Sequence, residues 1–287
     1  MIKHFLPKID LSQYNKLYCG TETRLATATS VSFVNYNKIL VPSLLGKMLY
    51  LIDITNNEFK IINQLYTGVY SDLIDYRNGI IISANALSPN HPDGIVSVYS
   101  LINDNISFIK DFKIKDKLRI HGCRFLDDSN ILVASNDKND SGLYFLNINN
   151  GQITKYVKFD LKVKDVYILD DKLFVVTSES APTKKDKYID KNSILYLYKL
   201  STMEKLDELV FEGQADSICV INNNGLVTVQ GKHSLFQFEV VFDKLINKKY
   251  ISGFNFPHGI SYMNDRVIVT NYGDNSIDIY DMEELIY

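Results

Sequence analysis

Two histidines and three aspartates occupy comparable places in a chain of 287 residues. His121 and His258 each begin a His-Gly pair, and Asp72, Asp165 and Asp216 each stand at the start of a short run rich in apolar residues. Imidazole titrates near neutral pH, so two such histidines could act as an acid–base pair. Carboxylates suit Mg²⁺ or Ca²⁺, and added imidazole shifts the preference toward Zn²⁺ or Mn²⁺. We therefore expect a divalent cation site or an acid–base site, with Asp165 and Asp216 as metal ligands or base.

A second set of polar residues extends this prediction. Arg119 lies two residues before His121 and offers a fixed positive charge to an anionic substrate, so His121, His258 and Arg119 are the predicted catalytic residues. Residues expected to contact a ligand around them are Asp72, Asn85, Asn136, Glu179 and Asn271.

The elements that position these residues come from an internal repeat. The clearest copy is PHGISYMNDRVIVTNYGDNSIDIYD at 257–281, in which three β-rich runs are separated by polar turns. The same order recurs from Ile120, Lys164 and Ala215, and weaker copies start near Thr29 and Tyr70. An offset of 12 residues separates His258 from Thr270, Asp216 from Thr228, and Asp165 from Thr177. These equal offsets align the copies on one another.

The spacing of the copies predicts the fold. Successive anchors are 42, 50, 44, 51 and 42 residues apart, at Thr29, Ser71, His121, Asp165, Asp216 and His258. A spacing of this size accommodates four short strands per copy. It predicts an all-β fold, a six-bladed β-propeller with four-stranded antiparallel blades, which spans 1–287 as one domain. The last copy lacks its outer strand, so an N-terminal strand is expected to complete it. NKLYCG (15–20) is the first candidate and IKHFLPKI (2–9) the second.

This fold would bring the anchors together, because the first strand of every blade lines the central channel. The connections after the first strands are tight turns, whereas those between second and third strands include 85–94, 136–142 and 179–192. Variable loops on one side of a rigid scaffold are typical of a binding face. The alternative is that the loops are tolerated insertions. The anchors could likewise only cap backbone groups or bind water, and the Gly of each His-Gly pair could serve an unusual backbone angle.

Composition excludes several classes of function. The formal net charge is −3 with acidic and basic residues interspersed, so no nucleic-acid partner is expected. No apolar run approaches the length of a membrane span, and the N-terminus lacks a secretory pattern. Cys19, Cys123 and Cys219 are odd in number and far apart, which favours reduced thiols and a cytoplasmic location. The only helical candidate is DMEELIY at the C-terminus. Phosphate-binding glycine loops, zinc cysteine patterns and nucleophile elbows are absent from the sequence.

The string VTNYGDNSIDIYD resembles the NHL and YVTN types of propeller repeat. The wider resemblance is to the gluconolactonase/senescence-marker-protein group and to the streptogramin-lyase group, which implies a metal or a catalytic His at the channel mouth. Asp216 matches the metal-binding Asp of the first group, and His258 stands where that group often has Asn. The Glu of that group has no counterpart, because this chain has Thr29 and Ser30 there.

Two functions follow as hypotheses. The first is a small-molecule site at the channel mouth, with or without a divalent cation, performing hydrolase- or lyase-like chemistry. The second is a non-catalytic propeller that binds a protein partner across its loop-rich face.

Overall fold

The computed structural model describes residues 6–10, 28–55, 60–86, 93–179 and 191–286, and gives the backbone alone for 6–10 and Lys155. Within these ranges 24 strands form six separate four-stranded antiparallel sheets. Each sheet is one blade of a β-propeller, so the predicted fold class is confirmed.

The first three blades follow one another along the chain. Blade 1 comprises β2 (Ser32–Asn35), β3 (Lys38–Ser43), β4 (Met48–Asp53) and β5 (Lys60–Tyr66). Blade 2 comprises β6 (Tyr70–Arg77), β7 (Ile80–Ala86), β8 (Gly94–Ile102) and β9 (Asn105–Lys115). Blade 3 comprises β10 (Ile120–Phe125), β11 (Asn130–Ser135), β12 (Gly142–Asn147) and β13 (Ile153–Lys158).

The remaining blades complete the ring. Blade 4 comprises β14 (Lys162–Leu169), β15 (Lys172–Ser178), β16 (Asn192–Lys199) and β17 (Glu204–Glu212). Blade 5 comprises β18 (Ala215–Ile221), β19 (Asn224–Val229), β20 (Ser234–Val241) and β21 (Lys244–Ser252). Blade 6 comprises β22 (Pro257–Met263), β23 (Arg266–Asn271), β24 (Ser276–Asp281) and the N-terminal β1 (Leu6–Asp10).

The first strand of each blade is the innermost one. These six strands contact one another in the order β2, β6, β10, β14, β18 and β22, and β22 contacts β2 again. The ring is therefore closed, and the residues that open the inner strands share one end of its channel.

The hydrophobic core is divided among the faces between neighbouring blades. The described residues form six buried apolar clusters, and each cluster joins two adjacent blades. One of them packs Val41 and Tyr50 of blade 1 with Ile268 and Ile277 of blade 6, across the closure. The second strands are buried on both faces for this reason, which explains their runs of Ile, Leu and Val.

Closure uses the N-terminal strand, as predicted. β1 pairs antiparallel with β24, and Ile9 lies opposite Ile277. The strand comes from the second candidate segment, whereas the first candidate, NKLYCG at 15–20, lies outside the described residues. Pairing the chain ends in one blade covers the free edge of β24.

The predicted turns and helix are also present. Asn78, Asp170, Asn222 and Asn264 have positive φ angles of 48°, 53°, 55° and 58° in the tight turns after the inner strands. Asn and Asp tolerate this left-handed conformation better than most residues. Helix α1 (Met282–Ile286) follows β24. Among the described residues, none of the helices has the length and apolar character needed to traverse a bilayer.

Candidate functional site

One extra residue interrupts every inner strand near its start. In blade 3, Ile120 pairs with Ser135 and Gly122 with Ala134, so His121 has no partner of its own in the ladder. The other five blades show the same irregularity, with the inner strand one residue longer than its neighbour. The first residue after the last regular pair before each irregularity is, from blade 1 to blade 6, Thr29, Asp72, His121, Lys164, Asp216 and His258. We name these six residues the channel ring.

The bulges turn the side chains of the ring toward the axis. A β-bulge bends its strand and redirects a side chain, which is why such features recur beside functional sites. All six residues of the ring are buried. The rings of His121 and His258 stack with centroids 5.6 Å apart, although the two residues belong to opposite blades. The sequence-predicted convergence of the two imidazoles is therefore confirmed.

Each histidine is held by a carbonyl group of the next blade. His121 Nδ1 lies 2.9 Å from the carbonyl oxygen of Lys164, and His258 Nδ1 lies 2.7 Å from that of Thr29. A carbonyl oxygen can only accept, so Nδ1 carries the proton and donates it in both residues. The tautomer is thereby fixed, and each Nε2 faces the channel.

The glycine after each histidine makes this contact possible. A Cβ at Gly122 would lie 2.8 Å from the carbonyl oxygen of Lys164, and one at Gly259 would lie 2.7 Å from that of Thr29. These are the same oxygens that accept the Nδ1 protons. Neither glycine has a positive φ. The His-Gly pair therefore serves a close approach of two blades, and the expectation of an unusual backbone angle is wrong.

Two carboxylates face the Nε2 atoms. Asp216 Oδ2 lies 2.7 Å from His258 Nε2, and Asp216 Oδ1 lies 3.3 Å from His121 Nε2. The same carboxylate accepts hydrogen bonds from Lys164 Nζ at 2.8 Å and Gln230 Nε2 at 2.9 Å. Asp216 is thus the most heavily bonded member of the ring.

Asp72 is bonded far less. Its two oxygens lie 3.8 Å from His121 Nε2 and from His258 Nε2, which is beyond hydrogen-bond length. Its buried Oδ1 has no hydrogen-bond partner among the described residues. A buried carboxylate oxygen without a donor is costly, so this position calls for a cation or a proton donor.

The charges of the ring shift the proton affinities of its members. Burial opposes ionisation of Asp216, but the positive charges of His258, Lys164 and His121 outweigh it and hold the pKa of that carboxyl well below its usual range. Burial likewise opposes protonation of His258, yet the adjacent Asp216 and then Asp72 raise the pKa of its imidazole. In the absence of a metal, a protonated His258 bonded to Asp216 satisfies both groups.

The alternative to a protonated His258 is a metal ion bound by the channel ring. Asp72, His121 and His258 offer one carboxylate oxygen and two imidazole nitrogens that all lie within 4.8 Å of one another. Donors around a tetrahedral zinc ion, with bonds of ~2.1 Å, lie roughly 3.4 Å apart, so the 3.8 Å gaps from Asp72 require only a small contraction. The fixed tautomers and the unbonded Asp72 oxygen fit such an ion.

Several predicted residues lie outside this group. Asp165 bonds Arg124 Nη2 and Ser217 Oγ, each at 2.7 Å, and its carboxylate is fully buried between blades. The structure therefore gives Asp165 a partner in the channel wall and places Lys164 in the ring instead. Lys164 went unpredicted, because Thr177 aligned with Thr228 and Thr270 in the sequence. In the ladder Thr177 pairs with Val163, so the fourth copy is displaced by one residue.

The residues at the ends of the second strands have mixed environments. Asn271 donates to Asp278 and accepts from the Asn255 backbone, and Asn85 donates to Ser97, so both hold their own blades together. Glu179 accepts from the backbone of Asn192. Asn136 is buried, and its Oδ1 has no hydrogen-bond partner among the described residues.

Sequence reasoning missed Gln230 as well as Lys164. Gln230 follows β19 in a short 3₁₀ turn (Gln230–Lys232) and binds Asp216. A usable signal for Lys164 existed, because a buried apolar residue stands two positions after every member of the ring. Examples are Cys123 after His121, Val166 after Lys164 and Ile260 after His258. Alignment on that residue gives the observed register.

Comparisons with known proteins support the fold. No protein-family model and no curated protein matches the chain. Hydrazine synthase from Kuenenia stuttgartiensis is similar in structure, with a TM-score of 0.67, 12% identity, and coverage of 92% of this chain and 79% of that chain. A protein from Lactobacillus plantarum gives a TM-score of 0.60 at 14% identity, covering 88% of this chain and 80% of that one. BamB from Moraxella catarrhalis gives 0.51 at 9% identity, covering 88% and 85%. Likeness at such low identity shows the β-propeller fold alone.

Proposed function

We propose that the channel ring is a small-molecule site organised around a divalent cation, and that it acts on its ligand by hydrolase- or lyase-like chemistry. One observation carries the proposal: two imidazoles with carbonyl-fixed Nδ1 protons have their Nε2 atoms 3.8 Å from the carboxylate oxygens of Asp72, whose Oδ1 has no donor among the described residues. Two nitrogens and one carboxylate oxygen favour Zn²⁺ or Mn²⁺ over Mg²⁺ or Ca²⁺.

Each residue has a role in this proposal. Asp72, His121 and His258 would hold the cation, which supplies Lewis acidity toward a carbonyl or ester-like group. Asp216 lies beside both imidazoles and is kept ionised next to Lys164, so it would orient a water molecule or a ligand hydroxyl as a hydrogen-bond acceptor. Lys164 Nζ would stabilise negative charge that develops on a ligand oxygen. The likeness of Asp216 to the gluconolactonase-type Asp agrees with an acidic residue at this place, but in this chain Lys164 and Gln230 bind it.

The first test is the metal content of purified protein, with thermal shifts against Zn²⁺, Mn²⁺, Mg²⁺ and Ca²⁺. A cation that binds only the folded protein raises the apparent melting temperature. We expect about one divalent ion per chain in the natural protein, as for a single three-ligand site. Asp72→Asn, His121→Ala and His258→Ala should lose the ion, whereas His233→Ala should keep it, because His233 is exposed and outside the ring.

Folding is checked separately for each variant. Asp72→Asn keeps the shape of the side chain, and the carboxylate makes no hydrogen bond within the described residues that the change would remove, so far-ultraviolet circular dichroism should be unchanged. Equal metal content and equal thermal shifts in the natural protein, Asp72→Asn and His233→Ala would overturn the cation site. If Asp216→Asn retains the metal yet abolishes turnover of esters or lactones, the carboxylate of Asp216 is required for the chemistry and not for metal binding.

A protein partner on the loop-rich face is the second hypothesis. Its main support is the loop 179–192, of which 180–190 lie outside the described residues. Removal of residues 181–191 tests it, because a partner bound there would be lost while metal content stays the same.

A further inference from the structure

Two positive side chains precede the channel ring in neighbouring blades. Arg119 comes just before Ile120, which opens the inner ladder of blade 3, and Lys162 comes just before Val163 and pairs with Ser178 in the inner ladder of blade 4. Arg119 and Lys162 therefore hold equivalent positions, each two residues before a member of the ring. The inner strands β10 and β14 contact each other, so the two positions are adjacent at the mouth of the channel.

Lys162 lies among like charges. It is half-buried, and burial, followed by the positive charges of Arg119 and Lys164, lowers the pKa of its ammonium group. Lys138 adds to this repulsion, and Asp137 opposes it. Within the described ranges, neither Arg119 nor Lys162 has an ion-pair partner, whereas Lys164 is paired with Asp216 at 2.8 Å. Neighbouring cationic side chains without an ion-pair partner attract an anion.

A buried amide lies beside these cations. The backbone N–H of Asn136 donates to the carbonyl oxygen of Arg119 at 3.0 Å, and the Asn136 side chain is only 2% exposed. Its Oδ1 has no hydrogen-bond partner in the described part of the chain. Oδ1 is an acceptor, so it is available to a hydroxyl or N–H group of a ligand whose anionic group lies next to Arg119.

The charge of the channel ring also favours an anionic ligand. The carboxylate of Asp216 is paired with Lys164 Nζ at 2.8 Å. A divalent cation at Asp72 would make the ring net positive. Arg119 and Lys162 add positive charge at one edge of the mouth, in a chain whose overall charge is −3.

We infer that this edge binds the carboxylate or phosphate group of the small molecule that the ring receives, so the ligand of this propeller is an anion. The inference rests on the proposed function, because it names the ligand class of that same site. Arg119 would contact the anion through two parallel N–H groups, and Lys162 through a point charge.

The test is calorimetric titration of metal-free protein, with the chelator removed by gel filtration, using inorganic phosphate, acetate and the neutral analogue acetamide. We expect phosphate or acetate to bind and acetamide not to bind. The stronger of the two anions identifies the head group. Arg119→Gln with Lys162→Gln should weaken binding by about tenfold or more, because hydrogen bonds between charged groups are lost.

A matched control removes the same charge elsewhere. Arg77 and Lys38 form exposed ion pairs with Asp128 and Asp104, so Arg77→Gln with Lys38→Gln should leave anion binding unchanged. Equal anion affinity in the natural protein and the Arg119/Lys162 double variant would overturn the inference.

Metal content measured on the same samples separates the two proposals. Retention of the metal together with loss of anion binding in the Arg119/Lys162 variant supports both. If the natural protein holds no metal but anion binding still depends on Arg119 and Lys162, the inference stands and the cation site fails. If metal binds and the anion affinity does not depend on Arg119 or Lys162, the cation site stands and the inference fails.

Discussion

The imidazole rings of His121 and His258 lie 5.6 Å apart at an angle of 21°, although their residues come from blades 3 and 6 on opposite sides of the propeller. The two side chains thus meet near the axis. A separate cavity of about 270 Å³ is lined by residues that include Asp75, Arg124 and Tyr262. These residues follow members of the channel ring by three or four positions, so the cavity lies further along the inner strands than the ring.

The first prediction concerns the glycine beside His258. Gly259→Ala should lower the free energy of unfolding by about 1–3 kcal/mol, as overpacked core positions do. The added Cβ would lie 2.6 Å from Ser30 Cα and 2.7 Å from the carbonyl oxygen of Thr29. Urea denaturation measures the change. Gly122→Ala should behave alike, since its Cβ would lie 2.8 Å from the carbonyl oxygen of Lys164. Unaltered stability in both variants would show that the blades have room to separate.

The second prediction is a pH window of stability for the metal-free protein. The raised pKa of His258 gives a contribution that is complete below its ordinary value of 6.5 and is lost as pH rises through the folded-state value. The lowered pKa of Asp216 gives a contribution that is complete above 3.8 and is lost as pH falls. The pair should therefore stabilise the fold most between about pH 4 and 6.5.

Asp216→Asn is the companion variant for that measurement. It leaves Lys164 without its buried counter-charge, so the free energy of unfolding at pH 6 should fall by about 3–5 kcal/mol. The pH dependence between 4 and 8 should also become flatter, as followed by urea denaturation at each pH. A variant whose pH profile matches that of the natural protein would remove Asp216 and His258 as its cause.

The third prediction concerns an arginine that joins three blades. Arg124 donates to the carbonyl oxygens of Ile74 and Val166, each at 3.2 Å, and to Asp165 at 2.7 Å. Arg124→Met should lower the free energy of unfolding by about 3–5 kcal/mol, because Asp165 is then buried without a positive partner.

Arg77→Met is the control for Arg124. Arg77 pairs with Asp128 at the surface, where both side chains are well exposed, so its loss should change the free energy of unfolding by at most about 1 kcal/mol. Similar losses for the two variants would mean that Arg124 contributes only as a surface residue does.

The fourth prediction concerns the thiols. Cys123 and Cys219 are buried and free, and burial raises the pKa of Cys219 to about 12 and that of Cys123 further. The thiolate is the reactive form, so neither residue should be alkylated in the folded protein at pH 8. Mass spectrometry after iodoacetamide treatment, with and without urea, measures this. Modification of either residue without urea would indicate local opening of the inner strands.

The sequence predicts the blades well because each repeat carries its own local signals. Polar turns such as Asn222 to Gly225 and apolar runs of strand length mark the strand pairs without any knowledge of neighbouring blades. The number of blades, the closing terminus and the facing histidines follow from that repetition. The choice between Asp165 and Lys164 does not, because a shift of one residue in a strand reverses the direction of its side chain.

Contacts between blades are the part that sequence patterns leave open. Neither the carbonyl groups that hold the imidazoles nor the approach of Ser30 to Gly259 has a marker in residue type, since every residue has a carbonyl group. Gln230 reaches Asp216 from a turn whose geometry depends on the whole of blade 5. Such contacts depend on tertiary packing, which residue types alone do not specify.

The polar channel ring also bears on how the propeller is held closed between blade 6 and blade 1. Among the described residues, blade 6 is joined to blade 1 through packed side chains and through the hydrogen bond from His258 Nδ1 to the carbonyl oxygen of Thr29. An ion shared by Asp72, His121 and His258 would clamp blade 6 to blades 2 and 3, bridging over blade 1. Ion binding would then add a link across the boundary at which the ring of blades closes.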